Sequence, residues 1–272
     1  MKSLNLLLQH APAWVRIEKR QNGVTYIVAE SSDILRRAAR SFQLELKSSS
    51  RGGVVVMEQA QHRQFASFCL ERHINPDSTF CVYLGSEYEL NDYEATEIWW
   101  SHLASYLRNQ TYAEKHRVWP IEAGLSHGDA AHEQIAMENL AEPLGWRDDT
   151  LRAIFRGKGW LAQPLPSIWK RGGRVLNSRA RCPRGCTWKH KLLRRKSCEV
   201  SECYPDCGRQ HKPVLLADCP NRNVVESLVL YEHRRRKIEI GIVQELADDG
   251  RHCCGMMKSC PLRDIMRLDL NS

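Results

Sequence analysis

The sequence predicts an α+β protein in three parts. These are an N-terminal α/β module (residues 1–120), a central helical, helix-turn-helix-like segment (121–165) and a small zinc-stabilised C-terminal region (166–272). Three observations carry this reading: alternating apolar strands around an Asn-Gly turn, helical apolar spacing through the middle, and a Cys/His pattern that recurs after 21 positions. The 272 residues are enough for a buried core, and 42% hydrophobic with 26% charged residues is an ordinary globular balance. Mean hydropathy is −0.50, and no apolar run approaches the ~18 residues that span a bilayer, which excludes a helical membrane protein. The run Leu6-Leu7-Leu8 is broken by Gln9, His10 and Pro12, too soon for an export signal, so the expected setting is the cytoplasm without a membrane partner.

In the N-terminal module, Trp14–Lys19 and Val24–Val28 flank Arg20-Gln21-Asn22-Gly23, and Asn-Gly supplies the positive φ of a tight hairpin. Apolar residues Ile34, Leu35, Ala38, Phe42 and Leu46 recur at three- and four-residue intervals and predict a helix over 33–46. Strands are expected at Val54–Met57 and Thr79–Leu84, on either side of a helix through Phe65–Leu70. The acidic stretch 91–97 precedes a helix bearing Ile98, Trp99, Leu103 and Leu107. It reads either as a carboxylate site or, more simply, as acidic residues favouring a helix N-terminus. No phosphate-cradling Gly-Lys loop, G-x-G-x-x-G fingerprint or G-x-S-x-G elbow occurs, so the module displays no familiar catalytic signature.

Leu140, Ala141, Leu144, Gly145, Trp146, Leu151 and Ile154 occupy the offsets that a helix-turn-helix requires. A small residue lets the helices cross closely, and a glycine permits the turn. On that reading Arg147, Thr150, Arg152 and Arg156 face DNA. Pro143 interrupts the first helix, and Asp148-Asp149 would repel phosphates. An ordinary helical hairpin fits the same residues.

Nine of the eleven cysteines lie between Cys182 and Cys260. Cys182-x3-Cys186-x3-His190-x7-Cys198 is followed by Cys203-x3-Cys207-x3-His211-x7-Cys219, every ligand-type residue recurring after 21 positions. Three thiolates and an imidazole make a closed tetrahedral set for Zn2+, and a 17-residue unit is too short to fold on an apolar core of its own. Two zinc sites are therefore expected. Downstream, His252-Cys253-Cys254-x5-Cys260-Pro261 suits either a third zinc site using Cys253, Cys254 and Cys260, or an iron–sulfur cluster. An odd cysteine count argues against a disulfide framework.

The basic excess coincides with these cysteines. Residues 166–237 hold 18 Lys and Arg against 6 Asp and Glu, whereas the rest of the chain is net acidic. Lys189, Lys191, Arg194, Arg195, Lys196, Arg234, Arg235 and Arg236 form the runs, and cations fixed by a metal-pinned loop bind phosphate backbones through counterion release. In ligand order the two repeats are similar to Cys-Cys-His-Cys zinc knuckles over about 38 residues, with longer spacing than the short retroviral type.

The functional expectation is a zinc-dependent nucleic-acid-binding protein, DNA before RNA. It would act as a regulator or as a subunit of a mobile-element or defence nucleoprotein complex, with other protein subunits as further partners. One rival is an iron–sulfur redox or nucleic-acid-modifying enzyme that uses the C-terminal cysteines. Another is a non-catalytic assembly subunit with structural zinc.

Overall fold

A computed structural model of the chain describes residues 2–30, 40–50, 52–83, 90–168 and 221–263, and the backbone of 192–193 and 214–215. The chain divides into two compact units, Met1–Ala123 with Gly241–Ser272, and Gly124–Ile240.

The first unit is built on a four-stranded antiparallel sheet in sequence order: β1 (Val15–Gln21), β2 (Val24–Glu30), β3 (Ser41–Ser48) and β4 (Val54–Glu58). With the helices this makes the chain an α+β protein. Asn22 and Gly23 both take positive φ, 52° and 76°, so the expected hairpin closes where the Asn-Gly pair permits it. β1 is an edge strand with exposed Arg16, Glu18, Lys19 and Arg20, charges that discourage pairing with another chain.

Residues 41–46, expected as the end of a helix, are strand instead, paired with β2 from Glu30↔Ser41 to Val24↔Lys47. Phe42, Leu44 and Leu46 are fully buried while their neighbours are less so, a period of two. The Phe42–Leu46 spacing of four satisfies both periods, and Leu44 decides for the strand. The rest of that expected helix, 33–39, lies outside the described residues. The helix expected through 65–70 is likewise absent. The buried Glu58 carboxylate accepts N–H bonds from Gln64 (3.0 Å) and Phe65 (2.9 Å), holding the chain irregular until one 3-10 turn at Leu70–Arg72. Burial pushes the Glu58 carboxyl above its ordinary value, against the pull of those amides and of Arg63 and Arg40.

Helix α1 (Lys2–Gln9) and helix α2 (Tyr93–His116) complete the core. Leu7, Trp99, Leu103 and Leu107 are fully buried in one cluster with Ile27, Phe42, Leu44, Leu46, Val54 and Val56. Burial at four-residue intervals along α2 is what the apolar spacing predicts. Trp100 Nε1 donates to the Leu7 carbonyl at 3.1 Å. Asp92 caps α2, accepting from the Ala95 amide at 2.8 Å. At least this residue of the acidic stretch serves the helix N-terminus.

In the second unit, helices α3 (Ala130–Ala141) and α4 (Arg147–Arg156) are joined by a 3-10 turn at Glu142–Leu144 and by Gly145 at φ 65°. Pro143 follows the first helix instead of kinking it, and the glycine carries the left-handed conformation that closes the turn. Ala141, Ala153, Met137, Leu161, Val225, Leu228 and Val229 form its core. The two helices and their turn make a packed helical hairpin. The last helix, α5, runs from Arg222 to Asp248. Among the described residues no helix is long and apolar enough to cross a membrane.

Candidate active site

Between Cys69 and Tyr83 the first unit brings short polar side chains and a half-buried thiol together. Isolated bridges join Cys69 to Ile74 and Ile74 to Phe80, so the strand expected at Thr79–Leu84 is reduced, among its described residues, to two bridged positions. Between them is a turn built by short polar side chains. Asp77 Oδ1 accepts from the Thr79 amide (3.0 Å) and hydroxyl (2.6 Å), and Asn75 Nδ2 donates to Thr79 Oγ1 at 2.9 Å. Ser78 takes a positive φ of 69° within it, and His73, at φ 53°, ends the preceding 3-10 turn.

This framework sends Phe80 into the core and leaves the next residue, Cys81, half-buried. The Phe80 amide donates to Val56 and the Cys81 amide to His73, at 2.8 and 2.9 Å, so the backbone at the thiol is held from both sides. The buried Tyr106 hydroxyl donates to the carbonyls of Arg72 and His73, both at 3.1 Å, and its ring lies 4.7 Å from Phe80 and 5.9 Å from Trp119. Burial pushes the Cys81 thiol above its ordinary value, and the Tyr106 hydroxyl also. Cys81 Sγ itself donates to the Tyr83 carbonyl at 3.8 Å.

Cys69, the other cysteine of this region, is buried, with its sulfur 2.8 Å from that of Cys254. The Cys69 hydrogen bond draws the Cys254 thiol down to about 6, while the same contact and burial push Cys69 up. Cys260 is pushed up to about 12 by burial and by its hydrogen bond with Cys253. The three terminal cysteines thus lie in two thiol pairs, and among the described residues no three His, Cys, Asp or Glu side chains gather where a cation could sit.

The expected zinc ligands Cys182, Cys186, His190, Cys198, Cys203, Cys207, His211 and Cys219 lie outside the described residues, as do Lys189, Lys191, Arg194, Arg195 and Lys196. The described backbone does pair Leu192–Leu193 with Val214–Leu215, antiparallel. Both strands fall in the His-to-Cys interval of their repeat.

The remaining expected nucleic-acid contacts differ among themselves. Arg147 bonds Glu138 at 2.6 Å and lies 3.4 Å from Glu142. Arg152 is exposed, and half-buried Arg156 donates to the Phe155 carbonyl at 3.0 Å. Arg234 lies over the Tyr231 ring and 4.0 Å from Glu133. Arg235 is buried against Glu232, and Arg236 bonds Glu232 and the Leu161 carbonyl. Along α5, then, the basic run meets the acidic residues of its own unit.

Cys81 was not singled out by sequence reading, because one cysteine in an apolar run has no spacing to mark it. The available signal was Asn75-Pro76-Asp77-Ser78-Thr79, a turn of polar side chains placed directly before an apolar residue and a thiol.

No curated protein and no solved structure matches the chain. A family profile does match, over the stretch that begins with β1, contains the Cys81 turn and extends past α2: residues 15–121 are similar to the family described as "Prokaryotic E2 domain".

Proposed function

We propose that residues 15–121 act as a cysteine-based acyl carrier, in keeping with the E2 designation of the family they resemble, and that Cys81 holds the acyl group. One observation carries this choice of residue. The matched span contains two cysteines, of which Cys69 is buried against Cys254 and Cys81 is half-buried at the end of a braced turn. In the proposed step the Cys81 sulfur attacks the carbonyl of an acyl thioester and releases the donor thiol. An amine then attacks the new thioester, takes the acyl group as an amide and returns the Cys81 thiol. The raised affinity of Cys81 for its proton suits storage, since transfer then waits for a well-placed amine.

The test is to incubate the full chain with a glycylglycine thioester of mercaptoethanesulfonate and record intact masses. The expected result is one hydroxylamine-labile adduct, discharged by added lysine, absent from Cys81→Ala and retained by Cys254→Ser. Equal loading of Cys81→Ala would overturn the reading.

A second proposal concerns residues 166–272 and rests on the 21-residue repeat, with the pairing of equivalent intervals as its support. We infer that Cys182, Cys186, His190 and Cys198 hold one Zn2+, and Cys203, Cys207, His211 and Cys219 another. The region would then bind nucleic acid, DNA before RNA, in the cytoplasm and within a larger assembly. Elemental analysis should find two equivalents of zinc. Neutralising Arg194, Arg195 and Lys196 together should reduce the salt slope of duplex binding by up to ~3. Iron with a visible absorption band, or an unchanged slope, would contradict it.

A further inference from the structure

Cys69 and Cys254 are 185 residues apart in sequence, yet their sulfurs stand 2.8 Å apart. A disulfide needs about 2.05 Å, so the bond requires the sulfurs to close by about 0.8 Å. The approach is imposed by the chain around them. Arg117 donates to the carbonyls of Gly255 (2.9 Å) and Met256 (3.2 Å), and the Lys258 amide returns a bond to the Arg117 carbonyl at 2.8 Å. Arg72 Nη1 lies 3.9 Å from the Met256 sulfur. On the other side Cys69 exchanges two backbone bonds with Ile74, at 3.2 and 3.0 Å. Each cysteine is thus carried by a segment that is independently tied down. Access differs between the two, for Cys69 is buried and Cys254 is half-buried.

We propose that Cys69 and Cys254 are a reversible dithiol–disulfide pair that reacts with low-molecular-weight disulfides and, when oxidised, fastens the segment 251–258 covalently to residues 69–72. Cys254 gives up its proton and its sulfur attacks one sulfur of the small disulfide, forming a mixed disulfide and releasing one small thiolate, which takes up that proton. Cys69 gives up its proton and attacks the Cys254 sulfur, displacing the second small thiolate, which takes up the Cys69 proton. In sum, two protein thiols are oxidised to one disulfide, and one small disulfide is reduced to two small thiols. The outer sulfur makes the first attack and the buried one resolves it. Cys81 takes no part, so the pair and the acyl carrier succeed or fail separately.

The experiment equilibrates the full chain in glutathione buffers of increasing oxidised fraction, quenches in acid, alkylates and digests with trypsin. A link between peptides 64–72 and 252–258 is expected, reversed by dithiothreitol. It should be present in the wild type and in Cys253→Ser, and absent from Cys254→Ser. The half-buried position of Cys254 makes that variant a safer substitution than the buried Cys69. In the oxidised chain, cleavage after Lys258 under native conditions should also slow, reporting the fastened segment. Complete alkylation of Cys69 at millimolar oxidised glutathione would overturn the proposal. So would a link that persists in Cys254→Ser, or zinc that co-purifies with the wild type and is lost from Cys254→Ser.

Discussion

Glu232→Ala is expected to destabilise the second unit by about 3–5 kcal/mol. The Glu232 carboxylate is almost wholly buried and accepts from Arg235 Nε at 2.7 Å, Arg235 Nη2 at 3.0 Å and Arg236 Nε at 2.7 Å. Its removal leaves the Arg235 guanidinium, itself about nine-tenths buried, with Ser126 Oγ at 3.2 Å and Glu239 at 3.8 Å. The cost comes chiefly from a charge stranded away from water, so it exceeds the net worth of the pair. Native-state hydrogen exchange reads this directly. Amides of 225–236 should lose roughly 10²-fold in protection, or more, whereas those of β2 and β3 should keep theirs. Replacing Glu232, Arg235 and Arg236 together by leucine or methionine should recover most of the loss, because none of the three then leaves an unpaired charge and Glu239 keeps His127 at 2.9 Å.

Arg72→Ala is expected to lower the stability of the first unit by about 3 kcal/mol or more. Arg72 is fully buried. Its Nε donates to Gln110 Oε1 at 2.7 Å and its Nη2 to the Gln110 carbonyl at 3.2 Å, and its guanidinium lies 5.0 Å from the Phe65 ring centre. Gln110 Nε2 donates in return to the Arg72 carbonyl at 2.7 Å, so two buried groups are satisfied by one another. Truncation opens a cavity and leaves the Gln110 carboxamide short of a partner. Near-ultraviolet circular dichroism of the clustered Trp99, Trp100 and Trp119 should show a melting point lower by roughly 6–12 °C. Arg72→Lys should rescue only part of this, since an ammonium retains the charge without the planar fork that bonds Gln110 twice.

The parts of the fold that sequence reading recovered are those with a strong local signal. Asn22-Gly23 dictated its own turn, and of the four apolar residues read on α2, Trp99, Leu103 and Leu107 form its buried stripe whereas Ile98 is exposed. Gly145 marked a tight turn, and it serves that way. The misreadings arose where local signals were ambiguous. Phe42 and Leu46 fit a helix and a strand equally, and Phe65–Leu70 is shaped by the carboxylate of Glu58, a contact that no window over 65–70 contains.

The candidate sites divide on the same principle. The repeat from Cys182 to Cys219 is visible in sequence because its cysteines and histidines recur after 21 positions, and the zinc proposed for it rests on that recurrence. Cys81 depends on how the chain around one thiol is held: by the neighbouring Phe80, packed on Tyr106, and by the turn of Asp77 and Thr79. The Cys69–Cys254 pair joins residues 185 positions apart, a proximity that only the folded chain creates.

The central claim is that Cys81, among eleven cysteines, is the thiol that carries an acyl group. Its most direct test is a site map on the unmutated chain, kept reduced. The protein is loaded briefly with the glycylglycine thioester, quenched in acid, digested at low pH and analysed by mass spectrometry for the position of every acyl group. Acylation concentrated on Cys81, with Cys69 and Cys254 unmodified, is the predicted result. Acylation that favours Cys254, or that spreads evenly over the cysteines, would contradict it.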